Sequence, residues 1–129
     1  MASTMMMLRR SSLAVFVLLG FSLNLSESLR FELVSGRTKC IAEDMRSNSM
    51  SVGKYKVINP NEGTPLPDTH KVTVRVTSSP GGNYHRADDA ESGQFGFLAP
   101  ESGEYMACFM TPDHDPALTV TIDFEWKTG

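Results

Sequence analysis

A chain of 129 residues that is 40% apolar and 21% charged holds one small globular domain and has too many core-forming residues to be disordered. Twelve basic against fifteen acidic residues give a net charge of −3, the wrong sign for a nucleic-acid surface. Two Cys are too few for a disulfide-dense miniprotein or a four-Cys zinc site.

The first predicted element is a leader. Arg9 and Arg10 supply a basic start with no acid, residues 13–25 are apolar except Gly20, Ser22 and Asn24, and Ser26 and Ser28 are the small residues of a cleavage site. That order is a secretory signal peptide over residues 1–28, cut after Ser28. As a helix the apolar run reaches only ~20 Å, short of the ~30 Å hydrocarbon core, so a retained anchor is the weaker alternative. The mature part, residues 29–129, carries ten basic and fourteen acidic residues and no second apolar run long enough to span a membrane. Both Cys fall in it. In an oxidising lumen the pair Cys40 and Cys108 is most simply one structural disulfide.

Strands are predicted at residues 31–34, 51–58, 94–98 and 104–110, with one helical turn near residues 41–46. The clearest twofold alternation is Val72, Val74 and Val76 against Thr73, Arg75 and Thr77. A second runs through Leu118, Val120, Ile122, Phe124 and Trp126, and both patterns predict half-buried antiparallel strands. Asn59-Pro60-Asn61-Glu62-Gly63 opens a Pro-rich loop, Ser79-Pro80-Gly81-Gly82-Asn83 suits a hairpin turn, and Glu-Ser-Gly precedes a strand at 91–93 and again at 101–103. The fold class is all-β: an antiparallel β-sandwich of seven or eight short strands with one disulfide.

No P-loop, GxGxxG, HExxH, GxSxG or CxxC motif occurs, and no catalytic, cofactor or metal residues are assigned. His114 lies in a turn-rich loop, where Asp113, His114 and Asp115 diverge rather than converge on a metal. The densest acidic stretch is Asp88, Asp89 and Glu91, beside Tyr84 and His85. It lacks the alternate spacing of a calcium loop and is read as a solvated loop with candidate partner-contact residues Tyr84, His85, Asp88, Asp89 and Glu91. The neighbouring acids would favour protonated His85 and make it a candidate pH sensor.

Several segments carry a resemblance. Leu29-Arg30-Phe31-Glu32-Leu33 with Gly36-Arg37-Thr38-Lys39-Cys40-Ile41-Ala42-Glu43-Asp44 resembles the start of the lumenal domain of the transmembrane emp-twenty-four-domain (TMED) cargo receptors. Val52-Gly53-Lys54-Tyr55, His70-Lys71-Val72-Thr73-Val74, Tyr105-Met106-Ala107-Cys108-Phe109 and the closing Thr121-Ile122-Asp123-Phe124-Glu125-Trp126-Lys127-Thr128-Gly129 are similar to its delta subfamily.

The resemblance implies a GOLD (Golgi dynamics) domain over residues 29–129, with the two Cys bonded. It also implies a non-enzymatic cargo receptor in vesicle transport between endoplasmic reticulum and Golgi, meeting lumenal cargo and sibling family members. A lectin-like or lipid-binding sandwich is the alternative. Members of the family are type I membrane proteins that continue into a coiled-coil neck, a membrane span and a coat-binding tail. This sequence stops at Gly129, so coat binding is not expected of it, and a lumenal or secreted product is.

Overall fold

Eight strands build two four-stranded antiparallel sheets in the computed structural model, which describes residues 25–129. The expected leader up to residue 24 lies outside the described residues. In chain order the strands are β1 (Leu25–Val34), β2 (Thr38–Met45), β3 (Met50–Val57), β4 (Val72–Ser78), β5 (Asn83–Ala90), β6 (Ser92–Leu98), β7 (Gly103–Met110) and β8 (Thr119–Thr128). The first sheet runs β1-β8-β3-β6 and the second β2-β7-β4-β5. β1 starts before the expected cut after Ser28. Cleavage there would leave Leu29 to Val34 paired with Phe124 to Thr119.

Alternation places the core. Val72, Val74 and Val76 are buried from β4, and Val120, Ile122, Phe124 and Trp126 from β8, with Leu118 half-buried just ahead of that strand. Phe109 and Ala107 of β7 lie beside the β4 valines in the second sheet and with them face β8 of the first, so the apolar layer lies between the sheets as in other sandwiches. Trp126 is fully enclosed, and its indole N–H donates to the Ser51 hydroxyl at 2.6 Å. That bond satisfies two polar groups that burial would otherwise leave unpaired.

Large and small residues interlock across the first sheet. Gly53 of β3 sits directly between Phe95 of β6 and Trp126 of β8, and Tyr55 sits between Gly93 and Phe124. The Phe95 ring lies over Gly53 so closely that an added Cβ would come within 2.1 Å of it. Phe95 is itself packed on Phe124 and Trp126 and has nowhere to swing. Gly53→Ala is therefore expected to cost about 1–3 kcal/mol by overpacking, read as a lower denaturation midpoint with an unchanged slope.

Two expectations need correction. The helical turn expected near residues 41–46 is instead the end of β2, paired through Met45 with β7. A single turn leaves most of its backbone groups unpaired, whereas the ladder satisfies them, so the strand wins. The acidic segment beside Tyr84 is likewise no loop but strand β5.

The disulfide joins Cys40 and Cys108, directly opposed residues of β2 and β7. Their neighbours Ala107 and Phe109 point inward, so the bond lies on the outer face of the second sheet, with Cys40 exposed.

Candidate functional site

Strand β5 is an edge strand, and two irregularities in its pairing with β4 set its chemistry. Register shifts fall between Val76 and Thr77 and between Val72 and Val74, which places extra β5 residues near Tyr84 and around Asp88–Asp89. A bulge puts two successive side chains on one side of the strand. Tyr84 and His85 consequently both turn inward and are half-buried, while Asp88 and Asp89 are exposed. Asp89 takes φ 51°, the left-handed region that Asp tolerates better than most residues.

Tyr84 stacks on Phe97 of β6 at 4.6 Å between ring centroids and contacts Tyr105 at 5.5 Å. His85 Nε2 lies 2.9 Å from the Tyr55 hydroxyl, and the His85 ring packs on Phe95. These contacts tie the edge of the second sheet to the first. Tyr84 and His85 are thus structural neighbours of the core, while Asp88 and Asp89 stay exposed. Glu91, also exposed, follows β5, and its carbonyl accepts the Val57 N–H. The five residues singled out in the sequence are therefore not brought into one surface.

The direction expected for His85 is also reversed. Burial lowers its pKa from the usual 6.5, because desolvation disfavours the imidazolium. A histidine whose folded pKa lies below its unfolded value gives full stability above about pH 6.5. That contribution is lost as pH falls from there toward the folded pKa, where the unfolded chain binds a proton that the folded one does not. We expect the denaturation midpoint to fall as pH drops below about 6.5 and His85→Gln to flatten that slope, measured as urea midpoints against pH.

A second surface escaped the sequence reading. The outer face of β1, β8 and β3 forms a shallow groove of about 530 Å³. Along it the Arg30 guanidinium grips Asp123 with two bonds, Nε at 2.6 Å and Nη2 at 2.9 Å, which holds the Asp123 carboxyl below its usual range. Lys54 stands opposite Glu125 and Lys56 opposite Asp123. Twofold alternation did mark these residues as outward-facing, but only strand order places β1 next to β8 and β3. Met50 and Leu98, opposed on β3 and β6, add an exposed apolar pair on the same sheet.

His114 Nδ1 is 2.7 Å from the Pro116 carbonyl in an exposed loop, and His70 lies against its neighbour Thr69. Among the described residues no three His, Cys, Asp or Glu side chains gather where a metal could sit. What the geometry offers is a rigid two-sheet body with charged, open faces, which suits recognition of another macromolecule.

Comparison with known proteins bears on that. Residues 28–129 match the emp24/gp25L/p24 family/GOLD. The chain is 58% identical over 125 residues to the transmembrane emp24 domain-containing protein p24delta9 of Arabidopsis thaliana, covering 96% of this chain and 58% of that protein. It is 62% identical over 105 residues to p24delta10 of the same plant, covering 81% and 49%. The chain thus spans about half the length of the curated relatives it matches. Among solved structures, a periplasmic lysozyme inhibitor from Aeromonas hydrophila superposes with a TM-score of 0.59 at 13% identity, over 84% of this chain and 90% of that one. At such low identity the likeness is one of fold alone.

Proposed function

Because the chain belongs to the emp24/gp25L/p24 family, we propose that it is the lumenal recognition module of a p24-type cargo receptor, acting between endoplasmic reticulum and Golgi. It works by binding proteins rather than by catalysis. The observation that carries this is the match of residues 28–129, all of the sandwich but the first three residues of β1, to the family domain. A disulfide on the outer face of the second sheet fits an oxidising lumen. The relatives are named as transmembrane proteins. In this chain no helix among the described residues is long and apolar enough to cross a membrane.

The acids Asp88, Asp89 and Glu91 form the contact edge for cargo or for sibling lumenal domains. Tyr84 and His85 hold that edge in place from behind. A single domain of this kind binds weakly by itself, since tethering and oligomerisation can add a factor of about 10²–10⁴ in avidity. The test is a titration of the chain against the lumenal domain of p24delta9, with a glycan array and a hydrolase substrate panel alongside. Weak saturable protein binding, reduced by Asp88→Lys with Glu91→Lys, is the expected result. A glycan bound with micromolar affinity, or turnover abolished by one substitution, would contradict the proposal.

A further inference from the structure

One cross-strand row on the outer face of the second sheet combines a disulfide with two arginines. Cys40 of β2 is opposite Cys108 of β7, Cys108 is opposite Arg75 of β4, and Arg75 is opposite Arg86 of β5. All four side chains stand on the outer face, because Val74, Val76, Ala107 and Phe109 point into the core and Ala87 packs against it. Cys40, Arg75 and Arg86 are exposed and Cys108 half-buried.

Two like charges placed directly opposite on neighbouring strands destabilise the sheet unless an anion answers them. Arg86 has Asp88 at 3.4 Å, a long contact between side chains that are each 59% exposed. Arg75, Arg86 and Asn83 line a shallow depression of about 390 Å³, and Arg75 is the cross-strand neighbour of Cys108. The row therefore offers an anion-attracting cleft next to an accessible S–S bond.

We propose that Cys40–Cys108 is an exchangeable disulfide that takes an anionic thiol peptide of the glutathione class and forms a mixed disulfide at Cys40. The peptide's carboxylate is drawn to Arg75 and Arg86. Its thiolate attacks Cys40 Sγ, the more exposed sulfur, and a new S–S bond forms there. The Cys40–Cys108 bond breaks, and its electron pair leaves on Cys108 Sγ as a thiolate that then takes a proton from water. Arg75, paired across from Cys108, supplies a positive charge on the side of that leaving group, which favours departure of the thiolate. The reverse attack by Cys108 expels the peptide thiol and restores the bond, so no other oxidant or reductant is needed. Because the disulfide lies outside the core, exchange proceeds in the folded protein. None of this chemistry depends on the protein partners proposed above.

The experiment treats the oxidised full chain with reduced glutathione and, in parallel, with the uncharged thiol 2-mercaptoethanol, and maps adducts by peptide mass. Expected are a glutathione adduct on Cys40 while β-sheet circular dichroism is unchanged, and a glutathione rate that falls with added salt. Arg75→Gln removes the positive charge across from the departing sulfur, so exchange slows by about threefold. Arg75→Gln with Arg86→Gln also removes the preference for glutathione over the neutral thiol, whereas Arg30→Gln on the other sheet changes neither rate. The proposal is overturned if adducts form only when the chain unfolds in denaturant, if they map to Cys108, or if the arginine variants react like the parent with both thiols.

Discussion

Replacing both half-cystines, Cys40→Ser with Cys108→Ser, is expected to lower stability by about 4 kcal/mol. The bond closes a loop with a sequence separation of 68, and in the chain-entropy model a crosslink of that span removes roughly that much freedom from the unfolded chain. For a domain of this size the loss corresponds to a melting temperature lower by about 15–30 °C. No core cavity accompanies it, because both sulfurs lie on the outer face, and the β2–β7 ladder keeps its hydrogen bonds. The variant should therefore unfold earlier, yet still show the circular dichroism of a β-sandwich at low temperature. Calorimetry of parent and variant under oxidising conditions makes the comparison. A shift of only a few degrees would show that the unfolded chain is already constrained without the bond.

Phe109→Ala carries the second large effect, about 3–5 kcal/mol. Phe109 is fully buried and meets three rings edge-on: Phe31 at 5.4 Å, Tyr55 at 6.0 Å and Phe124 at 5.0 Å. It comes from the second sheet, and its three neighbours come from β1, β3 and β8 of the first. The substitution removes transfer energy, leaves a cavity between the sheets, and forfeits aromatic pair energies of about 0.5–1.5 kcal/mol each. Leu98→Ala is the matched control. Leu98 is 59% exposed, so its loss should change stability by no more than about 0.5 kcal/mol. Chemical denaturation of the two variants against the parent tests both values.

The parts of the fold legible in the sequence are those where period two is unbroken. Val72, Val74 and Val76 and the run from Val120 to Trp126 show it, and all are buried as their alternation requires. The cysteine pair was legible from the secretory context, but its place on the outer face was not, since spacing along the chain says nothing about which strands adjoin. β2 was missed because it is an edge strand whose side chains are mostly exposed or half-buried, so its alternation is faint. β5 was missed for a different reason. Its two bulges each add a residue, so Tyr84 and His85 share a side and Asp88 and Asp89 interrupt the pattern. That same local geometry divides the candidate site. The acids were read correctly as exposed, whereas the inward turn of Tyr84 and His85 depends on a β4 register that no local pattern encodes.

The central claim is that this sandwich recognises proteins in the secretory lumen through the acidic end of β5. Its most direct test is photo-crosslinking in cells from a reactive residue placed at position 89, compared with one at position 121 on the outer face of β8. Crosslinks from position 89 to lumenal proteins of the endoplasmic reticulum and Golgi, lost on Asp88→Lys with Glu91→Lys and scarce from position 121, are the predicted result. Equal crosslinking from both positions, or none that responds to the charge reversals, would contradict it.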